Sequence, residues 1–431
     1  MRLLDTETFE LRSGDQSVFK DEGYAILSHR WVGQEITFDQ LANHAAELRA
    51  GQPPMTPQLA KIRGACETAR RQGLKWMWID TCCINKTSAV EETESINSMF
   101  KWYRDAKICI TYLCDVRRST NDLSVSRIFE SIDSGGYSIW FTRGWTLQEM
   151  LAPPEMQFYD MNWKCIGTKA ELAEVLQRVT GIDAAYLTGE KYFGSACIAT
   201  KMSWMAARRT EREEDITYSM LGIFNIILTP RYGEGGMRAF MRLQQALLST
   251  STDESLFAWR MPEAGAGDTI AGWAADEWGL MAASPKWFEG SRRLTTDGKR
   301  VTRHLGGFSM TQQGLQLFIP LIVMEAWWVP IICICGPLLP LALLGLCLYQ
   351  GLAKPPIPDI VFTLNCWEQD EFGRLVPIGL FLRVVSKEGR LLKRARCNEF
   401  GSEEKKFGRT QSSKHTPEAH VVLQPEQSYP D

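Results

Sequence analysis

Residues 107–116, KICITYLCDV, are apolar at so many consecutive positions that both faces of an extended strand through them would be hydrophobic. A strand of that kind needs cover on both sides, as in a parallel sheet sandwiched between helices. The surrounding sequence supplies that context. YAILS (24–28), WMWID (76–80) and MQFYD (156–160) read as three further strands, separated by polar stretches of helical length. Before the third strand, Ser88 and Glu91 stand in capping-box spacing. Ile96, Met99, Phe100 and Tyr103 then fall at i, i+3, i+4 and i+7, which predicts one helix with one buried face.

Strands alternating with helices imply right-handed crossovers and a ligand cleft at the carboxyl ends of the strands. That rule places Ser28, His29 and Arg30 at the end of the first strand, Asp80 and Thr81 at the end of the second, and Asp115 at the end of the third, all on one rim. Trp31 lies on the same side. In RGWTLQEM (143–150) a carboxylate, Glu149, begins the helix after the third strand and can reach that rim. Thr146 and Glu149 also have the T-x-x-E spacing of a capping box, so local sequence favours a helix cap over chemistry for Glu149.

Further along, KAELAEVLQRVTG ends on a C-cap glycine, Gly181, and AFMRLQQALL (239–248) has helical apolar spacing. The charges of RRTEREEDITYSMLGIF (208–224) read most simply as a solvated helix face, available as a contact surface. Short glycine-punctuated runs after residue 261, such as VFTLNCW and VPIGLFLRVV, predict a β-rich region, and the tail from 400 is polar. The expected domains are therefore 1–165 (α/β core), 166–260 (its helical completion), 261–399 (β-rich) and a tail at 400–431.

A net charge of −3 over 431 residues gives no global basic field, so nucleic acid is not the expected partner. Twelve cysteines without a C-x-x-C pair and five scattered histidines point away from a metal site and a disulfide framework, towards a reducing compartment. Asp5 and Glu7 interrupt the N-terminus where a signal peptide needs an apolar core, so a cytoplasmic location is expected. The uncharged run 327–349 is long enough to cross a bilayer, while Pro330, Pro337 and Pro340 oppose a continuous helix. Membrane contact and a buried hairpin both stay open for it.

Five blocks, GYAILSHRW (23–31), WIDTCCI (78–84), INSMFKWYRDA (96–106), RGWTLQEM (143–150) and MSWMAARRTEREEDITYSMLGIF (202–224), together resemble the fungal heterokaryon incompatibility domain. GLMAASPKWF (279–288) and FSMTQQGLQLFIPLI (308–322) look like the extension that follows it. The resemblance implies self/non-self recognition that leads to growth arrest or cell death. It also implies a TIR-like, flavodoxin-like parallel sheet flanked by helices, followed by a helical segment and the β-rich region. TIR domains that cleave NAD carry a glutamate in a W-C-x-x-E stretch, and Trp145, Thr146 and Glu149 have that spacing with threonine for cysteine. Two departures from the family's pattern stand out, Arg30 and Val32 in the first block and Asn85 after the second.

By that resemblance Glu149 is the catalytic carboxylate, and Ser28, His29, Arg30, Trp31, Asp80 and Trp145 line the pocket. NAD is then a substrate, with no resident cofactor or metal. Arg30 would hold a pyrophosphate and the tryptophans would stack on a ring. No G-x-G-x-x-G loop is present, which argues against a dehydrogenase. Two rivals remain. One is a thiol hydrolase using Cys82 or Cys83 with His29; the other is a non-catalytic signalling module that works by self-association or through an incompatibility partner.

Overall fold

The computed structural model describes residues 1–51, 55–118, 127–262, 278–296, 309–311, 314–318, 360–384, 391–395, 400 and 418–421. The chain divides into two compact units, Met1–Ser251 with Ala283–Arg293, and Thr252–Ala282 with the residues from Leu294 onward.

The first unit begins with β1 (Arg2–Asp5) and β2 (Leu11–Ser13), an antiparallel hairpin. Its turn is held by the Asp5 carboxylate, which accepts from the amides of Glu7 and Thr8 at 2.9 Å each. Then follow α1 (Gln16–Glu22), β3 (Tyr24–His29), α2 (Phe38–Ala50), α3 (Pro57–Arg71), β4 (Trp76–Trp78), α4 (Asp80–Cys83), α5 (Ala89–Asp105) and β5 (Ile108–Tyr112). After a 3-10 turn at Ile139–Thr142 come α6 (Thr146–Leu151), β6 (Met156–Tyr159) and β7 (Cys165–Thr168). The sheet order is β2-β1-β4-β3-β5-β6-β7.

The four central strands pair in parallel, β4 with β3, β3 with β5 and β5 with β6, and the hairpin and β7 add antiparallel edges. Taken alone, the parallel strands run second-first-third-fourth, a doubly wound order whose switch point lies between β3 and β5. All four strands expected from the sequence form. The hairpin and β7 do not follow from apolar runs, because each is short and sits at a sheet edge.

Every residue of β3 is buried, as is most of β5, which is the burial their apolar faces demand. Trp76 meets Phe19 of α1, and Trp78 meets Trp102 and Tyr103 of α5, so these helices cover one face. Helix α3 packs against β3, β4 and β5. Ser88 caps α5 by accepting from the Glu91 amide at 3.4 Å, and Ile96, Met99, Phe100 and Tyr103 are all buried on it.

Residues 166–251 complete this same unit with α7 (Ala173–Thr180), α8 (Ala184–Leu187), α9 (Ile198–Met205), α10 (Asp215–Tyr218), α11 (Leu221–Phe224) and α12 (Gly236–Thr250). Gly181 ends α7 in the left-handed region at φ 72°. The run 208–224 is not one solvated helix: it breaks into α10 and α11, with Arg208 and Glu214 buried and only Arg209, Glu211, Arg212 and Glu213 of its first charges exposed. Glu214 accepts from the amides of Gly233 and Gly235 at 2.8 and 3.1 Å.

The second unit contains a seven-stranded sheet of β8 (Leu294–Thr295), β9 (Ser309–Thr311), β10 (Gly314–Phe318), β11 (Ile360–Gln369), β12 (Leu375–Val384), β13 (Leu391–Ala395) and β14 (Glu418–Val421). Its order is β8-β11-β12-β13-β14-β10-β9, antiparallel throughout except between β13 and β14. VFTLNCW and VPIGLFLRVV supply its long central hairpin, with Leu364, Cys366, Leu380 and Leu382 buried. The apolar run 327–349 lies outside the described residues. Among the described residues no helix is long and apolar enough to cross a membrane.

Candidate functional site

Glu149 does not cap its helix. Helix α6 starts at Thr146, and the N-cap position is Trp145, which has helical φ and ψ and no side-chain cap bond. Thr146 is thus inside the helix, one residue too late to act as a cap. Its Oγ1 lies 2.8 Å from the Trp140 carbonyl and 2.9 Å from that of Arg143. The Glu149 side chain is released from local duty and turns to the end of β3, where its Oε2 accepts from Ser28 Oγ at 2.5 Å. Ser28 Oγ accepts in turn from Trp140 Nε1 at 2.9 Å, which directs the hydroxyl hydrogen at the carboxylate. The pair bridges 121 residues of sequence, beside the switch point of the sheet.

Burial dominates the electrostatics here. It pushes the Glu149 carboxyl up to about 8; the Ser28 hydrogen bond opposes the rise, the Asp80 charge adds to it, and the charges of Arg208 and Arg143 oppose it. His29 is held well below its usual value by burial and by the charges of Lys61 and Lys86, so its imidazole is neutral. His29 Nε2 and Asp80 Oδ1 stand 3.7 Å apart, too far for a hydrogen bond, and each is buried without a partner. Asp80 opens α4, and its other oxygen accepts from Trp31 Nε1 at 2.8 Å. Lys86 Nζ lies over the Trp31 ring at 3.5 Å and 3.9 Å from Asp80 Oδ2.

The loop after β3 is fixed from beneath. Glu35 accepts from the Val32 amide at 2.8 Å and from buried Lys61 Nζ of α3 at 2.6 Å, and Gln58 Nε2 donates to the Val32 carbonyl at 2.9 Å. Trp31 and Val32 stay exposed on this loop.

Of the residues expected at the pocket, Ser28, His29, Trp31 and Asp80 join Glu149 in one connected region at the ends of β3 and β4. Arg30 is half-buried, with its charge bearing on Cys114. Trp145 turns away, its Nε1 donating to Asp215 Oδ2 at 3.3 Å. Trp140 provides the indole that touches Ser28. Asp115 serves the backbone instead: buried, it accepts from Ser138 Oγ at 2.6 Å and from the Ile139 amide at 2.9 Å, which anchors the 3-10 turn. Cys82 and Cys83 are buried in α4, and a hydrogen bond with Cys83, together with burial, raises the Cys82 thiol well above its usual value. That is the opposite of what a nucleophilic thiolate requires.

Sequence reasoning missed Arg208 and Lys86. Arg208 was hidden in a charge-rich run, where only its position at the end of an apolar helix, MSWMAA, hinted at burial. Among the described residues six buried side-chain polar atoms lack a partner, and three of them, on His29, Asp80 and Arg208, surround the Glu149 region. Orphaned buried groups in a native fold call for an explanation, and a bound ligand is one.

Residues 24–136 match the family model of the heterokaryon incompatibility protein (HET). The chain is 38% identical over 260 residues to the vegetative incompatibility protein HET-E-1 of Podospora anserina, a match covering 57% of this chain and 18% of that protein. The chain therefore spans about a fifth of the length of this curated relative. No solved structure matches the chain. The family model and the relative agree in what they liken the chain to: residues 24–136 are similar to the heterokaryon incompatibility domain.

Proposed function

We propose that this chain acts in heterokaryon-incompatibility self/non-self recognition and cell-death signalling, and that its α/β unit does so by TIR-like cleavage of NAD with Glu149 as the working carboxylate. The observation that carries the reading is the position of Glu149: a buried carboxyl, free of the capping role its spacing suggests, facing Ser28 at the switch point of a parallel sheet. Perturbed titratable groups in such a cleft are characteristic of functional sites.

Breaking the nicotinamide-ribose bond develops positive charge on the ribose, the same electronic problem that glycosidases solve with carboxylates. Nicotinamide departs as a neutral ring and takes no proton from the enzyme. Ionised Glu149 would stabilise the cationic centre and accept from the ribose hydroxyls. The orphaned Asp80 Oδ1 offers a second hydroxyl acceptor, and Trp31 with Lys86 offers an exposed face and a charge for the rest of the nucleotide. Because burial pushes Glu149 up to about 8, its ionised form grows as pH rises towards that value, and release is expected to rise with pH through about 8.

The test is nicotinamide release from NAD by the purified chain beside a Glu149→Gln variant with the same circular dichroism and melting. Release by the first and at least a hundredfold less by the second is expected, the scale on which loss of one stabilising group acts. Absence of release from folded protein, over a range of concentrations that includes assembled species, would overturn the catalytic reading and leave a signalling module that works by self-association or through a partner.

A further inference from the structure

We infer that Arg208 is a positioning residue of the Glu149 site: it fixes the turn that aims Glu149 at Ser28 and supplies the buried positive charge against which the carboxylate is held. This rests on the reading of Glu149 as the working group.

The geometry has three parts. Arg208 Nη1 donates to the Arg143 carbonyl and to Thr146 Oγ1, both at 2.8 Å, and its Nε donates to the Trp204 carbonyl at 3.2 Å. One guanidinium therefore ties the end of α9 to the first turn of α6 by a fork that only arginine offers. Thr146 lies one helical turn before Glu149, on the same side of α6, so the tie acts directly beneath the carboxyl. Finally, Arg208 is 4% exposed and its Nη2 is buried without a hydrogen-bond partner.

A cation taken out of water and left one bond short is costly, and a fold retains it where a neighbouring negative charge compensates. Glu149 is the group whose charge bears on Arg208. The two form no ion pair within 4 Å, so Glu149 remains available to a ligand while still feeling the charge. The other titratable groups whose charges couple to Glu149 are Asp80 from α4, Arg143 from the turn before α6, Tyr103 from α5 and Cys109 from β5. Tyr103 and Cys109 are both pushed well above the neutral range by burial, so they stay uncharged while Glu149 titrates. Arg143 is partly exposed and salt-bridged to Glu211 at 3.0 Å, which leaves Arg208 as the fully enclosed cation.

The experiment compares the full chain with Arg208→Gln and Arg208→Lys. The carboxyl of Glu149 is followed by carbon-13 NMR in glutamate-labelled protein and identified by the resonance lost in Glu149→Gln. Its midpoint is independent of any activity, so a failure of NAD cleavage and a failure of this inference are separable. Arg208→Gln removes the charge and should move the midpoint up by about one unit. Arg208→Lys keeps a charge but loses the fork; its midpoint should stay near that of the parent, while nicotinamide release falls about tenfold in kcat with KM little changed. An unmoved midpoint in folded Arg208→Gln overturns the inference. Should Arg208→Gln not fold, Arg208→Lys decides through kcat: a parental kcat would show that the arginine does not position Glu149.

Discussion

Removing a carboxyl from water leaves a record in how stability depends on pH. Glu149 has its folded-state value raised from 4.5 to about 8, mainly by burial. Between those values the folded chain binds more protons at this position than the unfolded chain does. Its stabilising contribution is complete below about 4.5 and is lost as pH rises through about 8. Wild type should therefore lose stability relative to Glu149→Gln across that window, on the order of 3 kcal/mol. Urea titrations at pH 5 and pH 8 measure the difference, and parallel curves for the two proteins would contradict the burial argument. The comparison belongs below pH 8, because Lys169 acts in the opposite sense above it. Burial lowers its ammonium to about 8 where it donates to the carbonyls of Met150 and Pro153, so its share of stability grows as pH climbs towards 10.5.

Elements are tied to one another by a few enclosed polar contacts, and the Lys61–Glu35 pair is the clearest. It joins α3 to the loop after β3, with side chains 5% and 7% exposed. Replacing Lys61 by Met leaves Glu35 buried and unpaired, which costs about 3 kcal/mol, whereas Lys61→Met with Glu35→Gln should recover much of the loss. Chemical denaturation of the two variants checks this; equal destabilisation by both would show that the loop is held by Gln58 and packing alone. This tie also illustrates what can be read from a chain of letters. Helix α5 was legible because its four apolar residues repeat at helical spacing, and β5 because it is apolar on both faces. The contact of Glu149 with Ser28 was legible only through the strand-end rule and the family resemblance, since the T-x-x-E spacing is a local signal for a cap and Ser28 lies 121 residues away. Arg208 was not legible, because a charge run looks solvated unless the carbonyls that enclose the guanidinium are known. Trp145, expected at the pocket, bonds Asp215 while Trp140 reaches Ser28, because only packing decides which indole faces inward.

At the scale of the molecule, the compact α/β unit is discontinuous, because Ala283–Arg293 returns to it after the chain has entered the second unit. The returning segment is a 3-10 helix, Pro285–Ser291, packed on α9. Thr200 Oγ1 donates to the Ser291 carbonyl at 3.2 Å, and the fully buried Phe288 ring meets Phe240 of α12 edge-on at 6.4 Å. Helix α9 also leads into Arg208, so this segment supports the element that holds the Glu149 turn. The family model ends at residue 136; Ser28, His29, Trp31 and Asp80 lie within it, whereas Trp140, Glu149 and Arg208 lie beyond it. Two changes follow from that dependence. Phe288→Ala in the full chain empties a buried ring site and should cost about 3 to 5 kcal/mol in the unit that contains it. A fragment ending at Ser251 loses Phe288 and Trp287 together, uncovers Phe240 and α9, and is expected to melt earlier and bind a hydrophobic dye that the full chain excludes. Calorimetry and dye fluorescence on the fragment, the variant and the full chain decide the matter. A fragment that melts with the α/β transition of the full chain and stays dark to the dye would mean that this unit closes before residue 251, and that the later segment merely rests on it.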